Sequence, residues 1–184
     1  MLFAHLSEQH FLIENTTFQN TLLEIVKEKE FQGYSYDGAG ASFEILAKNV
    51  LDQVPSFFSV ESYEVTIVGS KDNSSLSKAN ISINVDDRII KSLGEGNGPV
   101  NALDNALRKD LGIYNEYIQD LILVDYKVRI LDGGTEAITR VVIESSDSKN
   151  QSWFTVGISP NIIEASFEAL MDSINYKLIK SNIK

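Results

Sequence analysis

Between residues 121 and 131 the chain alternates, with Ile122, Val124, Tyr126, Val128 and Ile130 separated on the far side by Asp125, Lys127 and Arg129. A period of two over this length predicts a half-buried strand whose covered face carries the first set. The run Asp132-Gly133-Gly134 predicts a turn, and "TEAITRVVIES" (135–145) its antiparallel partner. After a polar stretch, "WFTVGI" (153–158) reads as a third strand. Ser159 and Pro160 suit a helix start, and Ile163, Phe167, Leu170, Ile174 and Leu178 then recur at spacings of three and four.

The same order of patterns occurs earlier. "FFSVESYEVTIVG" (57–69), "KANISINV" (78–85) and "RIIKSL" (88–93) predict three strands, followed by a helix through Val100, Leu103, Leu107 and Leu111. A shift of 63 residues lays Tyr63 on Tyr126, Val65 on Val128, Gly94 on Gly157, Ala102 on Ala165 and Ala106 on Ala169. Such self-similarity marks an internal repeat. The fold class is therefore α+β, with two βββα units spanning about 56–112 and 118–180. One such unit has too little core to stand alone, so the two are expected to pack together or to pair in a dimer.

Residues 1–52 have a different pattern. "TFQNTLLEIVKEKEFQGY" carries Leu22, Leu23, Ile25 and Val26, and "GASFEILAKNVL" carries Phe43, Leu46 and Val50, at helical spacing. This segment is read as a small helical lead-in, or the tail of a preceding domain, and 53–184 as the domain proper.

Composition then narrows the chemistry. A formal charge of −10 with scattered cations argues against nucleic acid as a partner. No apolar run approaches the roughly 20 residues that span a bilayer, so no membrane partner is expected. The opening residues lack a basic flank and an apolar core of secretory type, and a cytoplasmic protein is expected. With no cysteine, thiolate metal sites and thiol nucleophiles are excluded. His5 and His10 lack companions for a metal shell, and no Gly-x-Ser-x-Gly occurs, so no catalytic residue, metal or cofactor is assigned.

The remaining candidate is "GEGNGP" (94–99), three glycines and a proline before a helix. It lacks the Lys-Ser/Thr of a phosphate loop, and Glu95 disfavours a phosphate. It is read either as a tight turn or as a carboxylate seat at a helix N-terminus, where N–H groups and the dipole attract anions. The second helix start, "GISPN", has Ser159 and Asn161 in place of Gly96 and Gly98, so a helix start alone does not demand those glycines.

Four motifs in order, "YSYDGAGASFEILAKN", "GEGNGPVNALDNALRK", "LVDYKVRILDGGTEA" and "WFTVGISPNIIEASFEALMDSINYKL", resemble the C-terminal regulatory domain of the 2-isopropylmalate synthase and citramalate synthase family. Within it, "DYKVRIL" and "NIIEASFEALMDSINYKL" look more like the citramalate branch. The resemblance implies a homodimerising domain that binds an end-product amino acid and inhibits an acetyl-CoA-condensing catalytic barrel. The effector would be isoleucine in the citramalate branch or leucine in the other. The barrel's metal-binding motif is not in this sequence, and the lead-in resembles the connector that follows the barrel. Carried over by residue, the resemblance places the effector's backbone at Gly96, Gly98, Val100 and Asn101. Its side chain would lie among Leu123, Tyr126, Ile130, Ala137 and Ile158, while Asn101 stands where the family often has a small apolar residue.

Overall fold

The computed structural model describes residues 16–69, 71, 75–131, 137–181 and 183. Two helices come first, α1 (Thr16–Phe31) and α2 (Gly40–Val50). Strands β1 (Ser59–Gly69), β2 (Ser75–Val85) and β3 (Arg88–Gly96) follow, then α3 (Pro99–Lys109). A 3-10 turn (Gly112–Tyr114) and the single-turn α4 (Asn115–Ile118) lead to β4 (Ile122–Ile130), β5 (Thr139–Ser146), β6 (Ser152–Ser159) and α5 (Ile162–Lys180). The βββα order thus occurs twice, in two antiparallel sheets ordered β1-β2-β3 and β4-β5-β6. The chain divides into two compact units. One joins the lead-in up to Pro55 with Leu121–Tyr176, and the other joins Ser56–Asp120 with the residues from Lys177 onward. The Asp132-Gly133-Gly134 turn, His5 and His10 lie outside the described residues.

Each sheet presents one face to its own helix. Tyr63 stands opposite Ile81 and Val65 opposite Ala79 in the first, and Tyr126 opposite Ile143 and Val128 opposite Val141 in the second. Opposed residues share a face, and Ala79, Ile81, Val141 and Ile143 are buried. The register breaks between Val60 and Ser62 and again between Leu123 and Asp125, so the extra residues, Glu61 and Val124, keep the 63-residue spacing. A bulge resets the alternation. Leu123, opposite buried Ser145, therefore takes the side of Tyr126. This corrects the expectation that Ile122 and Val124 share it; they are 58% and 53% exposed.

The glycines of the repeat let helix and strand approach closely. A Cβ on Gly94 would collide with the Ala102 carbonyl and the Ala106 amide, and one on Gly157 with the Ala165 carbonyl, with Ala169 N at 2.9 Å. Small residues on both sides of the contact let the backbones touch. For the same reason β3 runs on to Gly96, where hydropathy alone predicts a strand ending at Leu93 and then a glycine loop. α5 likewise begins at Ile162 rather than at Pro160, because the Asn161 carboxamide accepts the Ile163 N–H at 2.9 Å and makes Asn161 the N-cap.

The outer faces of the two sheets differ. Val142 and Val156, opposite one another, join a core of Phe18, Leu22 and Val26 from α1 with Tyr36, Phe43 and Ala47. The corresponding pair in the first sheet is Asn80 opposite Leu93, and beside it Lys78 pairs with Glu95 at 2.9 Å. The lead-in helices cover an apolar face in one unit. The matching face of the other is mixed, with Lys78, Asn80 and Glu95 beside the exposed Leu93 and Ile89.

Candidate functional site

The first set of candidate residues lies at the junction of β3 and α3. Gly94 and Gly96 point towards the helix, with Ala102 N 2.7 Å from where a Gly96 Cβ would stand and the Asn101 carboxamide folded over it. Glu95, between them, points to the other face and is held by Lys78, so its carboxylate does not face the helix start. Gly98 is the N-cap, in extended backbone (φ −152°, ψ 163°), and a Cβ there would meet nothing within 4 Å. Neither sterics nor backbone strain calls for glycine at position 98. Pro99 occupies the first turn, Val100 is half-buried, and Asn101 is exposed. The first helical bond runs from Ala102 N to Gly98 O at 2.9 Å.

Among the described residues no side chain caps α3, and its first turn holds no acidic residue. The equivalent end of α5 is closed by its own side chains. Asn161 accepts from Ile163 N, Ser159 Oγ accepts from Asn161 N at 3.0 Å, and the same hydroxyl donates to Glu164 at 2.8 Å. Position 101 in α3 corresponds to Glu164 in α5, so the dipole of α3 also lacks the carboxylate that offsets that of α5. Of two helix starts built on one plan, one is complete in itself. The other leaves its N-terminal amides to something else.

The second set lies on the other unit. Leu123, Tyr126 and Ile130 share the helix-side face of β4, opposite Ser145, Ile143 and Thr139. The Tyr126 hydroxyl meets Ser166 Oγ at 2.7 Å, and Ser166 donates to Ile162 O at 2.6 Å, so Tyr126 is the donor to Ser166. Val128, absent from the candidates carried over by resemblance, lies between Tyr126 and Ile130 on this face, and its place in the alternation is the signal that finds it. Ile130 is 65% exposed and Val128 42%, so the strip stays open towards its far end. Ala137 is half-buried just before β5.

Ile158 is not with them. It stands opposite Arg140 on the outer face, and with Leu131 and Ile138 it surrounds Gly33, whose carbonyl accepts from Arg140 Nε at 2.8 Å. Asp125, opposite Glu144 on the outer face of β4, is engaged by Lys127 at 2.7 Å and by the Tyr126 N–H at 2.8 Å. The hydrogen bond from Lys127, then that from the Tyr126 amide, holds its carboxyl below the usual range.

Comparison with known proteins gives a consistent picture. The family described as the LeuA allosteric (dimerisation) domain matches residues 37–178. The chain is 48% identical over 165 residues to the (R)-citramalate synthase of Geobacter sulfurreducens, covering 87% of this chain and 31% of that protein. It is 44% identical over 162 residues to the (R)-citramalate synthase of Aquifex aeolicus, covering 86% and 30%. To the 2-isopropylmalate synthase of Ruminiclostridium cellulolyticum it is 30% identical over 122 residues, covering 66% and 22%. The chain spans about three tenths of the length of the citramalate synthases it matches. Among the described residues no helix is long and apolar enough to cross a membrane.

Proposed function

Because the chain belongs to the LeuA allosteric (dimerisation) domain family, we propose that it is the amino-acid-sensing part of a cytoplasmic (R)-citramalate synthase. In this reading it binds isoleucine and, as a homodimer, transmits feedback inhibition to a catalytic barrel that condenses acetyl-CoA with pyruvate. The observation that carries the proposal is the contrast between the two helix starts. α5 caps itself, whereas α3 presents uncapped amides beside a glycine that the fold does not need. Such a start suits a carboxylate.

Within its own unit, the β4 strip of Leu123, Tyr126, Val128 and Ile130 with Ala137 has the apolar character of a small-molecule seat. Each seat is defined within its own unit and can be tested there. Higher identity to citramalate synthases than to the 2-isopropylmalate synthase favours isoleucine over leucine. Moving one methyl is worth about 1–3 kcal/mol in an apolar pocket, so the alternative effector is expected to bind more weakly rather than not at all.

The test is calorimetric titration of the chain with isoleucine, leucine and valine, repeated on Gly98→Asp. A carboxylate at the N-cap would occupy the α3 amides itself. The variant should keep its fold and lose the effector. Unchanged affinity in Gly98→Asp would remove α3 from the site, and silence with all three amino acids would leave a purely structural dimerisation module.

A further inference from the structure

The lead-in and α5 meet along a polar stripe that the sensing proposal does not use. Glu168, Asp172 and Tyr176 recur every fourth residue of α5 and so share one face. Glu168 accepts from the Tyr34 hydroxyl and, through Oε2, from the Ile158 N–H at 2.8 Å. Asp172 accepts from Ser42 Oγ at 2.6 Å, and that hydroxyl accepts the Val156 N–H at 3.0 Å. Tyr176 donates to Glu44 at 3.1 Å. Side chains of α2 and the loop before it are thereby tied both to α5 and to the outer edge of β6.

The other unit supplies a comparison. The positions in α3 that correspond to Glu168 and Asp172 are Asn105 and Lys109. These turn back to their own sheet, donating to Glu95 O and Leu93 O at 2.9 Å each. Only the unit that carries the lead-in places two carboxylates one turn apart on this stripe.

We propose that Asp172, with Glu168 one turn away, forms a proton-sensitive latch: with Asp172 protonated, α2 and its preceding loop are clasped to α5 and β6, and with Asp172 charged the clasp loosens. The groups facing the pair are Lys29 of α1, Tyr34 and Tyr36 of the loop, Ser42 of α2 and the Ile158 amide of β6, with Glu30 of α1 beside Tyr36 and the Val156 amide on Ser42. Lys29 is the single cation among these described groups, and its ammonium sits over the Tyr34 ring at 4.4 Å. Both carboxylates are half-buried, and the charge of Glu168 opposes one on Asp172.

Burial pushes the Asp172 carboxyl up to about 7, with Glu168 adding in the same direction and Ser42 and Lys29 opposing. Burial and the same two carboxylates push the Tyr34 and Tyr36 phenols up, so both remain neutral throughout and Tyr34 stays the donor to Glu168. The closed state therefore holds a proton that the open state, with an ordinary carboxyl, releases. Its stability is complete below the ordinary carboxyl range, falls as pH rises, and levels off above about 7.

Hydrogen exchange followed by mass spectrometry on the whole chain, corrected for intrinsic rates, reads the latch without any effector. Its outcome is thus independent of the sensing proposal. From pH 5 to pH 7 protection of residues 34–50 should fall on the order of tenfold or more, then level off, while β5 amides stay protected. Asp172→Asn, which keeps an acceptor for Ser42 without a charge, should flatten the profile, and Glu168→Gln should move the transition to lower pH. A flat profile in the unmodified chain would overturn the latch. So would parallel loss in β5, a profile that still titrates in Asp172→Asn, or a transition that stays in place in Glu168→Gln.

Discussion

Glycine does two different jobs in this chain, and the distinction is made residue by residue. Gly94 and Gly157 are required by packing, since an added methyl would press on the helix backbone above. Gly94→Ala and Gly157→Ala should each destabilise the fold by about 1–3 kcal/mol, read as a lower urea midpoint at unchanged slope. Gly98 has open space and extended backbone, so substitution there costs the fold little. Gly98→Asp should leave the denaturation midpoint unchanged or slightly raised, as capping residues exceed glycine by a few tenths of a kcal/mol. Gly96 is a poorer probe, because a side chain would press on Ala102 N at 2.7 Å and confuse stability with binding.

At the scale of elements, the two βββα units share strand order, bulge position and helix start, yet differ in how the helix start is finished. Asn161→Ala should cost about 1 kcal/mol by removing the α5 cap, measured by thermal or urea unfolding. The alternation of β4 and the three-four spacing of α5 make the elements legible in the sequence, because burial of one face dictates residue type. The bulges are not legible. Glu61 and Val124 share no residue type, and the shift of face they cause shows only in the hydrogen-bonded register. That is why alternation alone groups Ile122 and Val124 with Tyr126. The Asp86–Asp87 hairpin turn falls between the two predicted strands, but its positive φ (49° and 59°) is hidden, since neither residue is a glycine. The α3 candidates are readable from their glycines. The β4 candidates come through resemblance, which includes Ile158 and omits Val128; pairing with Arg140 and with Val141 places them on opposite faces.

At the scale of the molecule, the proposed sensor is expected to act as an assembly. The open Val128 and Ile130 strip suits burial against a second copy, and light scattering should report twice the mass of one chain. Val128→Lys on that strip should shift the population to monomer while leaving the fold intact, because the residue is already substantially exposed. Effector sensing through α3 is tested most sharply by calorimetric titration of the full chain with isoleucine, alongside Gly98→Asp at matched stability. The expected result is saturable binding that prefers isoleucine to leucine and is lost in the variant. No heat with isoleucine, leucine or valine, from a chain shown to be folded, would contradict it.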